Sequence, residues 1–363
     1  MAYGEAREMK VRRIIIPLVF FFIGLLAGIA LNAVKMLQIQ SMMKPSAGSI
    51  RLVGAVTMNR ESVPWLNNYC EIYLADDLGN MLLFSASAIV YNNTVKNLVF
   101  DERGRLYLLE SIGNQPLNLW RVNLPWPKLT KLKIPEIKTP DDTGKFLALS
   151  LSNYSTSVIL VFEKKLIITD LVNDRFEIVD LPPWPKDPNR GKSIYDRTSA
   201  SHASDTSTVL ILDKSFGTDV GPIIDRIFSY DIKNAAWNDL GNPDQGTGGT
   251  EIEAAQDGIH YVMVTILHDT FLPYPIPTTV NVYSNGTKVF DIPFAKALSC
   301  GKNYLLSLDV ISNSLQFVFH DFDGNQVGNA SIPYTPPSRY YATSFDNLNE
   351  TAGAIFEIPP SDD

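Results

Sequence analysis

The chain of 363 residues carries 31 basic and 39 acidic side chains, a formal net charge of −8 at pH 7. Because holding a phosphate backbone or anionic lipid by charge requires a basic surface, this balance argues against nucleic acid as a partner. Only two cysteines occur, and their number and spacing exclude a zinc knuckle and a CxxC redox site.

The first element in chain order is an apolar run near the N-terminus. Ile14 to Leu31 contains no charged side chain, and extension to Val34 gives about 20 residues, the length of a membrane-spanning helix. Basic residues are concentrated before the run, at Arg7, Lys10, Arg12 and Arg13. This asymmetry predicts a cytoplasmic N-terminus over residues 1–13 and a transmembrane signal-anchor helix over residues 14–34. The alternative is a cleaved signal peptide.

Both interpretations place the remainder outside the cell or in the lumen of the secretory pathway, and the anchor interpretation makes the chain a type II single-pass membrane protein. Gly24 and Gly28 have the small-xxx-small spacing that allows two membrane helices to approach closely. They are therefore candidates for a homodimer contact, although glycine is common in membrane helices in general.

After the apolar run, residues 35–64 show little periodicity and predict a stalk. Residues 65–358 consist of short β-type runs separated by turn signals, and residues 359–363 form a short tail. The runs recur in groups of about four, with a period of roughly 45 to 50 residues, which is typical of a β-propeller. Five groups lie between Asn97 and Pro333. A sixth combines runs from both ends, so we expect an all-β, six-bladed propeller whose terminal segments close the ring.

Two segments resemble known propeller repeats. Ile227 to Asp231, followed by Trp237 to Gly241, is similar to the C-terminal half of a kelch repeat, and Phe100 to Tyr107 resembles the strand-turn-strand of NHL or gluconolactonase-type propellers. The combination of a retained hydrophobic segment with six blades also resembles the paraoxonase and strictosidine-synthase-like enzymes. That resemblance implies a calcium-dependent hydrolase as an alternative function, but no residue here matches the calcium ligands of those families.

The exported part contains signals of the secretory pathway. Acceptors for N-linked glycans follow the Asn-x-Ser/Thr pattern at Asn92, Asn153, Asn285, Asn329 and Asn349. In an oxidising compartment, Cys70 and Cys300 predict one long-range disulfide, with two buried thiols as the alternative. Asp321 to Asn325 and Asp76 to Asn80 each resemble the beginning of a calcium loop. Both lack the remaining ligands and are interpreted as hairpin turns.

No arrangement of residues indicates catalysis, and we expect no cofactor, with calcium as the one possibility. Aromatic residues stand beside prolines in several loops, which favours binding of a protein or glycan partner. The two longest interruptions of the blade rhythm are Lys186 to Asp205 and Asp269 to Pro277. The predicted contact residues in these loops are Tyr195, Arg197, Phe271 and Tyr274. A structural subunit of a membrane assembly is the remaining alternative.

Overall fold

The structure is a computed structural model that describes most of the propeller and part of the N-terminal helix. The described residues are 24–60, 69–85, 94–112, 115–124, 128–134, 143–144, 146–151, 157–173, 175–181, 195–202, 208–215, 224–241, 249–266, 278–293, 295–311, 314–333 and 352–361.

One helix and 24 strands make up the regular structure of these residues. Helix α1 spans Gly24–Met42. The strands are, in chain order, β1 Arg51–Arg60, β2 Tyr69–Asp76, β3 Met81–Ser85, β4 Thr94–Phe100, β5 Leu106–Ile112, β6 Gln115–Asn123, β7 Lys128–Leu132, β8 Phe146–Leu151, β9 Ser157–Phe162, β10 Lys165–Asp170, β11 Arg175–Asp180, β12 Tyr195–His202, β13 Thr208–Ser215, β14 Ile224–Asp231, β15 Ala236–Gly241, β16 Gly249–Ala254, β17 His260–Ile266, β18 Thr278–Ser284, β19 Thr287–Pro293, β20 Ala295–Cys300, β21 Tyr304–Ile311, β22 Ser314–Asp321, β23 Gln326–Pro333 and β24 Ala352–Ile358.

These strands form six four-stranded antiparallel sheets, which confirms the predicted six-bladed propeller. Blade 1 has the order β24-β1-β2-β3, and blades 2 to 6 each contain four consecutive strands, from β4-β5-β6-β7 to β20-β21-β22-β23. Strands β4, β8, β12, β16, β20 and β24 contact their neighbours around the ring, so they are the innermost strands.

The two ends of the chain close the ring within blade 1. Strand β24 is antiparallel to β1, with Arg51 opposite Ile358 and Thr57 opposite Ala352. Each of the two segments supplies the hydrogen-bonding groups that the other would leave unpaired at a sheet edge. The predicted closure by terminal segments is therefore observed.

The propeller begins at Arg51 rather than at Trp65. Residues 35–64, which the sequence predicts as a stalk, contain the last two turns of α1 and the whole of β1. Strand β1 gave no alternating pattern because residues 52–57 are buried on both faces. A strand buried on both sides produces a continuous apolar run, which periodicity does not distinguish from a short helical segment.

The core is divided among the interfaces between adjacent blades. Each of six apolar clusters joins two neighbours; for example, Leu108 of blade 2 packs in a cluster with Leu74 of blade 1. At the interface of blades 1 and 6, a Cβ on Gly54 would lie 2.8 Å from the Leu306 side chain. A residue larger than glycine at this position would therefore require the Leu306 side chain of blade 6 to shift.

Candidate functional site

The ring has two faces, which differ in the strand connections they carry. In every blade, the antiparallel order places the first and third connections on one face and the second connection on the other. We call the first of these the helix face, because α1 ends there. The opposite face carries the second connections and the segments that lead from one blade to the next.

Helix α1 is attached to the helix face by its last turn. Ile39 and Met42 are buried in the cluster between blades 1 and 2. The next residue, Met43, places its methyl group where a Cβ on Gly104 would be, and Gly104 has a φ of +69° in the turn between β4 and β5. Glycine is favoured at this position for two reasons: L side chains rarely adopt this φ, and the Met43 side chain occupies the space a Cβ would need. The end of the helix therefore packs closely against the turn between β4 and β5.

Aspartate side chains cap six of the turns on the helix face. In the turns of Asp76, Asp101 and Asp321, one carboxylate oxygen accepts hydrogen bonds from the backbone N–H groups two and four residues later. The turns of Asp170, Asp231 and Asp257 use the N–H groups two and three residues later. This recurring cap fixes the shape of the helix face.

The two segments that resemble calcium loops are turns of this kind, as predicted. Asn80 and Asn325 donate their side-chain amides to the second oxygens of Asp76 and Asp321, at 2.8 and 2.9 Å. Desolvation raises the pKa of Asp321, but the hydrogen bonds from Asn325 and the backbone outweigh it and hold that pKa below its ordinary value. The described residues contain no cluster of three or more His, Cys, Asp or Glu side chains able to hold a metal ion.

The described pair closest to an acid–base arrangement is Asp257 and His260. The Nδ1 atom of His260 lies 2.7 Å from the Asp257 carboxylate, and its ring stacks on Phe322 of blade 6 at 4.5 Å. Desolvation raises the pKa of Asp257, but hydrogen bonds from His260 and Ile259 leave it below its ordinary value. The pair closes a tight turn, and the His260 ring joins blade 5 to blade 6. A structural role therefore accounts for this arrangement without a catalytic one.

Cys300 lies near this pair but cannot serve it as a nucleophile. The side chain is buried, and its Sγ donates to the carbonyl oxygen of Glu253 at 3.9 Å. Burial, together with the charges of Glu253 and Asp257, raises the pKa of the thiol well above its ordinary value. Because the thiolate is the reactive form, this cysteine is inert in the folded protein.

The strand register separates the two cysteines. Cys300 ends β20 at the helix face and carries a free thiol. Cys70 pairs with Asn59, which is eight residues along β1 from Arg51 at the helix face, or roughly 26 Å of extended strand. A disulfide requires Cα atoms within about 7 Å. The geometry favours the alternative of separate thiols over the predicted disulfide; the side chain of Cys70 lies outside the described residues.

His320 is a further imidazole that the blades enclose. Neither ring nitrogen has a hydrogen-bond partner among the described residues. Desolvation lowers the pKa of His320, and the nearby Asp321 opposes this effect without reversing it. The ring is therefore neutral at pH 7 and belongs to the packing of blade 6.

The predicted binding residues fall in two structural settings. Tyr195 and Arg197 belong to β12, the innermost strand of blade 4, where their backbones pair with Ser215 and Asp213. Their side chains, and the whole of Phe271 and Tyr274, lie outside the described residues. The segments 182–194 and 267–277 connect β11 to β12 and β17 to β18, so both join strand ends on the face opposite to α1.

A repeated irregularity of the innermost strands was not visible in the sequence. The register shifts between the first and second strands of blades 2 to 6, and in blade 4 this β-bulge lies between Arg197 and Ser199. A bulge re-aims the side chains beside it and often lies next to a binding site. The sequence does not reveal these positions, because the extra residues at the bulges share no residue type. They are Lys96, Leu147, Thr198, Thr250 and Leu298.

No protein-family model matches this sequence, and no curated protein is similar to it. The chain is similar to several solved structures. A candidate 6-phosphogluconolactonase from Bacteroides fragilis has 11% identity and a TM-score of 0.48, over 87% of this chain and 100% of its own. A second, from Bacteroides uniformis, has 13% identity and a TM-score of 0.45, over 78% and 97%. At these identities no activity is carried over to this chain.

Proposed function

We propose that this chain is a type II single-pass membrane glycoprotein whose propeller binds a protein or glycan partner, outside the cell or in the secretory lumen. The observation that carries the proposal is the placement of α1. The helix is docked on one face of the ring, whereas β12, which carries Tyr195 and Arg197, begins at the opposite face and the segment 267–277 joins strand ends there. The anchor thus leaves the predicted recognition surface free.

The exposure of α1 supports an anchor. All residues from 24 to 34 are exposed, which is three full turns of helix with no side against the propeller. The exposed side chains include Leu25, Leu26, Ile29, Leu31 and Val34. By length and composition the helix is sufficient to cross a membrane. In water this apolar surface would be unfavourable, whereas in a bilayer it is solvated by lipid.

Two further features agree with the proposal. Asn285 and Asn329, the glycan acceptors that lie among the described residues, are both exposed. A Cβ on Gly24 or Gly28 would meet no atom within 4 Å, so both glycines are open to a second helix. The possible homodimer is tested by crosslinking in the membrane: Gly24→Ile and Gly28→Ile should abolish it, and unchanged crosslinking would leave α1 as a monomeric anchor.

Membrane orientation is tested with the full chain in sealed vesicles. A membrane-spanning helix requires that the chain remain in the membrane after extraction with alkaline carbonate. An N-glycosidase should lower its apparent mass, and protease should remove the propeller only from the side that carries the glycans. An unglycosylated propeller on the cytoplasmic side would contradict the proposal. Extraction by carbonate would indicate a cleaved or peripheral segment.

Partner binding is tested with a variant carrying alanine at Tyr195, Arg197, Phe271 and Tyr274. We expect loss of a saturable partner captured from solubilised membranes, with the melting temperature kept within about 2 °C, as for residues that serve recognition and not packing. The matched control is Phe176→Ala with Glu177→Ala on the outer strand β11, where both side chains are exposed. Retained capture by the fourfold variant, or loss in the control, would contradict recognition by these loops.

A further inference from the structure

The helix face carries a regular arrangement of exposed aliphatic side chains. Leu78, Val172 and Ile259 are each the second residue after a capping aspartate, and 67%, 74% and 45% of their surfaces are exposed. They belong to blades 1, 3 and 5, so one such side chain stands at every second blade. We refer to these three residues as the tripod.

The length of α1 places this face close to the bilayer. The predicted transmembrane helix ends at Val34, and the helix becomes buried in the propeller at Ile39. Five residues at 1.5 Å each separate the two points by about 7.5 Å along the helix. The headgroup layer of one leaflet is itself about 5 to 7 Å thick. The turns of the helix face therefore reach the depth of the headgroups.

Basic side chains alternate with the tripod. The turns of blades 2, 4 and 6 expose Arg103, Lys233 and Lys302 on the same face. Long basic side chains can keep their charge among headgroups while their stems cover apolar surface. Glu102 and Asp323 are also exposed there, so the face as a whole does not select anionic lipid by charge. Its aliphatic tips distinguish it as a membrane contact.

We infer that the helix face rests on the membrane, with Leu78, Val172 and Ile259 inserted at the boundary between headgroups and acyl chains. This inference rests on the proposed anchoring of α1. A ring held by one helix could tilt, whereas apolar contacts from three alternate blades, at outer turns in blades 1 and 3 and at an inner turn in blade 5, hold it parallel to the membrane. The face at which β12 begins, with Tyr195 and Arg197, then lies away from the bilayer, where a partner can approach.

The test uses the full chain in phosphatidylcholine nanodiscs, produced without glycans. A fluorophore is attached to Val172→Cys, Leu78→Cys or Ile259→Cys, and quenching by lipids with a shallow nitroxide is measured. The matched control is Leu240→Cys, which replaces another exposed aliphatic residue, at the end of β15 far from the helix face. The parent chain gives the labelling background of the native cysteines.

We expect the three tripod positions to be quenched several times more strongly than position 240, with the same result when phosphatidylserine is added. A further label at Leu26→Cys, which lies deep in the proposed span, is read with a nitroxide placed deep in the acyl chains and reports the anchor itself. Strong quenching at position 26 with equal, weak quenching at 172 and 240 would overturn the tripod and leave the anchor intact. Absence of quenching at position 26 would overturn both proposals.

Glycosylation supplies an independent readout. The backbone N–H of Asn285 donates to the carbonyl oxygen of Ile259 at 3.1 Å, so a glycan on Asn285 would stand beside this tip. The inference therefore requires Asn285, although it is an exposed acceptor, to stay unmodified in glycosylating cells, so that the glycans of the proposed function are carried by other acceptors. A glycan at Asn285 in the mature protein would overturn the contact made by blade 5.

Discussion

The packing of α1 between blades 1 and 2 leads to a quantitative prediction about Ile39. This side chain is 1% exposed and packs between blades 1 and 2, whereas Leu37 on the same helix is 65% exposed. Replacing a buried isoleucine with alanine typically costs about 2 to 5 kcal/mol, from lost apolar burial and the cavity left behind. For a domain of about 300 residues, 1 kcal/mol shifts the melting temperature by roughly 1.5 °C. We therefore expect Ile39→Ala to lower it by about 3 to 8 °C.

The assay is thermal unfolding of the full chain in detergent, combined with limited proteolysis at Lys44. If the helix detaches locally instead of destabilising the ring, cleavage after Lys44 accelerates while the melting temperature changes less. Leu37→Ala is the matched control and should change neither quantity, because it removes an exposed side chain at a helical position that alanine tolerates. The reasoning is refuted if Ile39→Ala and Leu37→Ala behave alike in both measurements.

Three further predictions follow from the ring and its buried groups. Truncation after Glu350 removes β24, which exposes the β1 edge and should prevent cooperative folding; a truncated chain that melts like the intact one would show that closure is dispensable. Burial raises the pKa of Tyr261 to about 12. Since the unfolded side chain ionises near pH 10, stability should be complete below pH 10 and fall as the pH rises toward 12, and Tyr261→Phe should reduce this loss in alkaline melting curves. Finally, the Cys300 thiol should be unreactive in the folded chain and should react with a thiol reagent once the chain is unfolded, without addition of a reductant. If the unfolded, unreduced chain has no reactive thiol, the predicted Cys70–Cys300 disulfide is correct after all.

The sequence predicted the features that local patterns encode. The apolar run that continues into α1, the turns at Asp76 and Asp321, and the repetition of about four strands per 45 to 50 residues all depend on residues near one another in the chain. Closure of the ring by the two ends also followed, since five complete blades left strand-forming segments unpaired at each terminus. These features specify a propeller without specifying its chemistry.

The boundary of the propeller was predicted less well. Strand β1 is buried on both faces, so its sequence lacks alternation, and Gly54 within it weakens the strand signal. What requires a glycine there is the approach of Leu306, which is 252 positions away in the chain. Such a contact leaves no local trace.

Only the tertiary structure decided how the parts are oriented. Antiparallel pairing assigns each turn to one face of the ring. This assignment separates Cys70 from Cys300, brings Leu78, Val172 and Ile259 to the helix face, and starts β12, with Tyr195 and Arg197, at the opposite face. The bulges of the innermost strands in five of the six blades are likewise visible only in the folded structure. The sequence thus determined the apolar helix and the repeating blade by itself, because both depend on short-range patterning. The positions of the sites depend on contacts between distant blades, which the folded ring alone brings together.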